Sequence, residues 1–315
     1  MSGLLLLDTA SAYFRAFHGI PTTVTAPDGR PVNAIRGLLD VLAHLVTTHR
    51  PDELVCCWDD SWRPAWRVAL VPSYKAHRVA GDGGEDAPAE LGPQVPVIRE
   101  LLGCVGFPIV GAAEHEADDV LATLARVGRE RGSAVLVVTG DRDLCQLVRD
   151  PTGDRPGVRV LYTGRGMARA EVLDEAAVAA RYGVPPASYA ELATLRGDTS
   201  DGLPGVAGIG EKTAATLLTR FGSLADVVDA AASGAPGIPP RTRAALLAAA
   251  PRLPGMLTVV RTADDLDRRG LLDPPVAAAG WPLPRVPADP AGLDALVTRY
   301  GLGGSAGRLV EALAG

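Results

Sequence analysis

Lysine is nearly missing from this 315-residue chain: Lys75 and Lys212 are its two, and every other strong base is an arginine. Cysteine is scarce as well. Cys56, Cys57, Cys104 and Cys145 show no CxxC spacing and no nearby histidine pair, which excludes a zinc ribbon and leaves them as reduced core residues rather than disulfides. Long apolar runs are missing. Leu4–Leu7 lacks a basic flank and runs into Asp8, unlike a signal peptide, and nothing approaches the ~20 residues that span a bilayer. A cytoplasmic protein with no membrane partner is therefore expected. Positive charge is in deficit too, since the formal net charge is −6, which on its face argues against a nucleic-acid partner. The 47% hydrophobic content excludes a disordered chain, and the length suffices for two domains with a sizeable core.

What the chain does have is acid at the ends of its strands. The stretches 4–7, 54–58, 107–110, 134–138 and 158–162 are short and apolar, as strands buried on both faces are. Amphipathic helices alternate with them, over 33–48, over 94–105 and from Glu116, where apolar residues recur at Ala117, Val120, Leu121, Leu124 and Val127. That alternation predicts an α/β domain with a mostly parallel central sheet, and such sheets bind ligands at the carboxyl ends of their strands. Asp8, Asp59, Glu116, Asp118, Asp119, Asp141 and Asp143 all fall at that edge. One such acid is an N-cap or a turn residue. Seven on one rim repel each other by several kcal/mol unless cations sit among them. Asp198 and Asp201, three residues apart after the helix 189–196, can complete the set. With these nine set aside the rest of the chain is mildly basic, and the charge objection to DNA largely goes.

Two other stretches carry chemistry. Trp62, Arg63, Trp66, Arg67, Tyr74, Lys75, His77 and Arg78 interleave bases with rings, the pattern of a nucleic-acid surface. An amphipathic helix with exposed arginines fits the same composition equally well. Residues 79–92 follow, rich in Gly, Asp, Glu and Pro and without a base, as expected of a mobile flap. Further on, Gly208-Ile209-Gly210-Glu211-Lys212-Thr213 places a glycine turn and a cation at a helix start, a geometry that accepts a phosphate. After about residue 170 the strand signal fades, 171–182 reads as a helix, and short helices run to the end.

These stretches resemble the bacterial 5′-3′ exonuclease family, the 5′ nuclease domain of DNA polymerase I and its free-standing relatives, akin to flap endonucleases. The matching motifs are YFRAFHG (13–19), WDD (58–60), YKAHR (74–78), EADDVLATLA (116–125), TGDRDLCQLV (139–148), YGVPP (182–186), LRGDTSDGLPGVAGIGEKTA (195–214) and VVRTADDLD (259–267). The resemblance implies a PIN-like α/β nuclease domain over 1–170 and a helical domain over 171–315. The second domain's helix–three-turn–helix around Gly208, Gly210, Lys212 and Thr213 would grip duplex DNA and hold K+. It implies a first metal cluster of Asp8, Asp59, Glu116, Asp118 and Asp119 and a second around Asp141, Asp143, Asp198 and Asp201, loaded with two or more Mg2+ or Mn2+. Lys75 and Arg78 would steer the scissile phosphate, Arg67 and Tyr74 would lie on the DNA surface, and 79–92 would form the arch. No side-chain nucleophile is expected. The implied partners are DNA with 5′ flaps, nicks or ends, RNA primers in hybrids, and a separate DNA polymerase.

Asp60 and Gly202 depart from the pattern, standing where a small residue and an asparagine are usual, and the arch lacks its usual bases. A non-catalytic DNA-structure-binding protein with the same fold is the main alternative. A haloacid-dehalogenase-like phosphatase would need a DxD after the first strand, where Asp8 is followed by Thr9-Ala10. A PIN-type ribonuclease would lack the 208–213 module.

Overall fold

Leu4–Leu7 lie in the middle strand of a seven-stranded sheet. In the computed structural model, which describes residues 3–81, 83–278 and 280–315, the strands are β1 (Gly3–Asp8), β2 (Glu53–Cys57), β3 (Ile109–Ala112), β4 (Ala134–Thr139), β5 (Val158–Tyr162), β6 (Glu171–Leu173) and β7 (Leu272–Asp273). Their order is β6-β5-β4-β1-β2-β3-β7. The five central strands are parallel, and the two edge strands run antiparallel. Side chains alternate along β1, so Leu4 and Leu6 join the apolar cluster on one face while Leu5 and Leu7 join the other. That is why the run carries no polar residue.

Helices α1 (Thr9–Gly19), α2 (Asn33–His49), α3 (Ala65–Leu70), α4 (Gln94–Val105) and α5 (Ala117–Glu130) connect the strands. After β6 come α6 (Glu175–Tyr182), α7 (Tyr189–Arg196), α8 (Glu211–Phe221), α9 (Leu224–Ala232), α10 (Pro240–Ala249) and α11 (Leu253–Val260), then α12 (Pro290–Tyr300) and α13 (Gly303–Ala314). The cluster with α5 extends through α7, α8 and α11, so the helical half is built onto one face of the sheet.

Three expectations need correction. Residues 171–182 are not one helix: Glu171–Leu173 pair with β5, and the helix starts after Asp174, whose side chain caps it. A three-residue edge strand is too short to leave a periodic signal. The strand signal also returns at β7, which pairs with β3. Most consequentially, 171–315 is not a single helical domain. Helices α12 and α13 fold back onto the opposite face of the sheet, where Leu296, Leu309 and Leu313 share a cluster with Leu38, Leu42, Ile98 and Leu101. Each such leucine contributes about 1.5–3 kcal/mol on burial. Helix α2, lying between α1 and α13, is therefore buried on more than one face.

The parallel order brings the carboxyl ends of β1, β2 and β4 side by side, with the turn into α1, the turn after β2 and the start of α5 above them.

Candidate metal centre and nucleic-acid interface

A cleft of about 900 Å³ opens at this edge, and Asp8, Asp59, Glu116, Asp118, Asp141, Asp143, Asp198 and Asp201 all line it. Lys75, Arg78 and Arg142 line it too. Eight of the nine expected acids are thus brought together. The ninth, Asp119, is not: it is fully buried on the far side of α5, where Oδ1 accepts from Arg67 Nη2 at 2.8 Å and from the Ala263 backbone N–H at 2.8 Å. Successive helix positions point about 100° apart, so Asp118 and Asp119 face different surroundings.

Local chemistry fixes the carboxylates. Asp8 caps α1 by accepting from the Ser11 N–H at 3.0 Å, and its other oxygen accepts from the Thr139 hydroxyl at 2.7 Å. Asp59 Oδ1 accepts the free N–H of Ala117 at 2.6 Å, so the turn after β2 caps α5. Asp141 Oδ1 accepts from the Asp143 N–H at 2.8 Å. Glu116 is held from three sides, by Arg67 Nη1 at 2.7 Å, the Tyr74 hydroxyl at 2.7 Å and Lys75 Nζ at 2.6 Å.

Two DNA contacts expected from the basic, aromatic stretch are therefore corrected. Arg67 is 2% exposed and donates to Glu116, to Asp119 and, through Nε, to the Val259 carbonyl at 3.2 Å, so its guanidinium is committed within the protein. Tyr74 is buried with its hydroxyl committed to Glu116. Both support the cleft from beneath. Lys75 and Arg78 do reach it; Arg78 Nη2 donates to Asp201 Oδ1 at 2.9 Å and to the Ser200 carbonyl at 2.6 Å.

The electrostatics are those of acids crowded in a dry place. Burial, with Asp141 adding to it, pushes Asp8 up to about 6. Burial and the neighbouring Glu116 push Asp59 up to about 7. Asp118 and Asp143 are raised well above the usual carboxylate range, again by burial first and then by Asp141. Asp198 goes the other way, because Ser200 and Arg142 outweigh its burial and hold it low. Burial opposes the charge on Lys75, but Glu116 overrides it and keeps the ammonium protonated.

The donor set suits a hard cation. Every candidate ligand is an oxygen, and Asp143 Oδ1 is buried with no hydrogen-bond partner, its nearest cation being Arg196 Nη2 at 4.0 Å. Among the described residues no group of three acids closes around one point as a ready-made cage. An ion here would take one or two side-chain oxygens and complete its shell with water, the habit of Mg2+.

Sequence reasoning missed Arg142 and Arg196. Arg142 pairs with Asp198, and Arg196 lies 3.7 Å from Asp198 and 3.0 Å from Glu211 at the start of α8. A partial signal was present, since Arg142 stands between Asp141 and Asp143 and Arg196 two residues before Asp198, though the partner of Arg142 is remote in sequence. Gly208, Gly210, Lys212 and Thr213 do not line the cleft; they are exposed at the turn before α8 and in its first turn. Residues 79–92, expected as a mobile arch, begin as a tight hairpin. The Ala80 N–H donates to the Gly84 carbonyl at 2.8 Å and the Asp86 N–H to the Arg78 carbonyl at 2.7 Å, which brings Glu85 and Asp86 to the cleft wall. Asp82 lies outside the described residues. Asp60 packs against Gly111, where any Cβ would collide with its carboxylate, and stands 3.9 Å from Arg99. Gly202 has φ +69 and a Cβ there would strike the Ser73 carbonyl oxygen, so the chain around Ser73 and the Asp198–Asp201 loop touch at a point that admits no side chain.

Two outcomes follow from this geometry. Arg67→Ala strips buried Asp119 of its cation and leaves Glu116 with Lys75 alone, and is expected to cost about 3–5 kcal/mol in chemical denaturation. It should leave the salt dependence of DNA binding unchanged, because no phosphate contact is lost. Gly202→Asn is expected to destabilise by about 1–3 kcal/mol through overpacking against Ser73; an unaltered denaturation midpoint would show that the two segments separate at no cost.

Comparison with known proteins agrees with this architecture. Residues 3–183 match the 5′-3′ exonuclease N-terminal resolvase-like domain, and residues 184–267 match the 5′-3′ exonuclease C-terminal SAM fold. A 5′-3′ exonuclease of Streptomyces coelicolor is 51% identical over 98% of this chain and 99% of its own length. One of Mycobacterium tuberculosis is 50% identical over 99% and 98%. DNA polymerase I of Mycobacterium leprae is 40% identical over 72% of this chain, which matches 24% of that protein. In fold, T5 5′-exonuclease with bound zinc superposes with a TM-score of 0.66 at 18% identity, covering 99% of each chain. The catalytic core of Rad2 in complex with DNA gives 0.62 at 17% identity, covering 99% of this chain and 93% of that one. The chain belongs to the 5′-3′ exonuclease family.

Proposed function

We propose that this chain is a divalent-metal-dependent 5′-3′ exonuclease and flap endonuclease that hydrolyses phosphodiester bonds in branched, nicked or 5′-ended DNA during replication and repair, including removal of primer-bearing flaps. The observation that carries it is that eight of the nine acids singled out in the sequence line one cleft together with Lys75, Arg78 and Arg142. Mg2+ or Mn2+ held by Asp8, Asp59, Glu116, Asp118, Asp141, Asp143, Asp198 and Asp201, some directly and some through water, would supply an activated water and a counter-charge for the leaving oxygen. Lys75 and Arg78 stand at the same wall and would stabilise the charge that develops on the phosphoryl oxygens, acting electrostatically rather than as nucleophiles. No cysteine lines the cleft, and Cys56, Cys57 and Cys145 are buried, which pushes their thiols up.

Duplex DNA would lie along the turn at Gly208–Thr213, whose exposed amides and Lys212 suit backbone phosphates, with a potassium ion bound in that turn. Arg196 links Glu211 at the start of α8 to Asp198, so the duplex grip and the acidic cleft share one side chain. The partner polymerase and the use of RNA–DNA hybrids belong to the same reading; the match to part of DNA polymerase I supports it.

Cleavage of a 5′-labelled flap substrate tests the reading. Incision near the junction is expected in Mg2+ and Mn2+, none in EDTA, and a loss of about a hundredfold or more in Asp141→Ala, more than the 10–100-fold typical of outer-shell changes at metal sites. Tight flap binding without incision in either metal would instead make this a structure-binding protein.

The raised carboxyls give a pH test. Asp8 at about 6 and Asp59 at about 7 bind protons more tightly folded than unfolded, where the value is 3.8. Their contribution to stability is therefore full below the unfolded value and lost as pH rises towards 6–7. Metal-free protein should lose thermal stability across that window. The rise in melting temperature caused by Mn2+ should be larger at pH 8 than at pH 5.5, because cations need the deprotonated ligands. Equal rises at both pH values would count against a carboxylate site.

A further inference from the structure

A second concave site lies at the other end of α5. Asp118 stands in the first turn, in the acidic cleft; Arg129 stands eleven residues on, roughly 16 Å further along the helix. There a cavity of about 490 Å³ is lined by five arginines, Arg126, Arg129, Arg149, Arg155 and Arg261, against two acids, Glu130 and Asp264. Cations at a helix C-terminus are ordinary, which accounts for Arg126 and Arg129. It does not account for Arg149 and Arg155, which come from the segment before β5, or for Arg261, which follows α11.

Two of the five are neutralised. Arg126 pairs with Glu130 and Asp267, and Arg261 with Glu191 at 3.4 Å. Glu130 is further engaged by Arg268 at 3.1 Å. Among the described residues Arg129, Arg149 and Arg155 have no carboxylate within ion-pair distance. Arg129 Nε donates to the Pro156 carbonyl at 2.9 Å, and Arg149 Nη1 donates to the Gln146 and Val148 carbonyls at 2.8 and 2.6 Å. These bonds fix the side chains and leave the other guanidinium nitrogens free to donate. Burial lowers the pKa of Arg149, with Arg129 adding to it and Glu175 and Asp264 opposing.

The geometry points to a binding site for a phosphoryl group that carries at least two negative charges. Each guanidinium presents a planar fork, and a carboxylate has oxygens for one fork, whereas a phosphoryl group has three or more oxygens to share among several. Two sources offer that chemistry, a free oligophosphate and the terminal phosphate of a nucleic acid.

Inorganic pyrophosphate is the probe, titrated into the full chain in EDTA and followed by 31P line broadening, so that no metal takes part. Saturable broadening is expected. It should weaken about tenfold or more in Arg129→Ala and in Arg155→Glu, the latter an exposed position whose variant should melt like the wild type. Nuclease activity should be unchanged in both. Displacement by a 5′-phosphorylated oligonucleotide, absent with its 5′-hydroxyl counterpart, assigns a nucleic-acid end; no displacement by either assigns a free oligophosphate. No broadening, or broadening that survives in both variants, overturns the site.

Discussion

Like charges crowded into a low-dielectric cleft repel, and much of this chain serves to hold them there. A parallel sheet turns all its carboxyl ends to one edge, so the acids that follow β1, β2 and β4 meet whether or not that is favourable. The structure offsets the repulsion in three ways. Helix starts lend amides to Asp8 and Asp59. Arginines and Lys75 lend cations to Glu116, Asp198 and Asp201. Burial, with the repulsion that is left over, raises the proton affinity of Asp118 and Asp143.

The division of labour between arginine and lysine follows the shape of each group. Arg67 reaches two carboxylates with one planar fork beneath the cleft, which a point charge could not do. Lys75, the only lysine near the cleft, ends in a compact ammonium against Glu116 with part of its side chain open to the cavity. Breaking the Arg67 pairs would leave charge stranded; opening the Lys75 pair would leave it beside the site of reaction.

The acidic edge was legible because strands buried on both faces have an unmistakable composition, and the acids follow them directly. The helix boundaries of 94–105 and 189–196 were legible for a similar reason, since apolar period and flanking breakers agree. What local pattern could not supply was direction. Asp118 and Asp119 are neighbours with the same chemistry, and only the position of Arg67 decides which is sealed in the interior. Arg67 itself is indistinguishable in sequence from an exposed phosphate ligand. The hairpin at 79–85 hid behind a composition that suits mobile loops, and the return of α12 and α13 hid because an amphipathic helix announces that it has a partner without saying which.

That return has a consequence for how the molecule is made. The apolar face of α2 that Leu309 and Leu313 cover belongs to Asn33–His49, yet its cover comes from Gly303–Ala314. During synthesis the catalytic half cannot close its second face until α12 and α13 have left the ribosome, and contacts of such long sequence separation form slowly. A nascent chain stalled before α12 would carry the acidic edge complete and the opposite apolar face uncovered, the kind of exposed surface that chaperones hold.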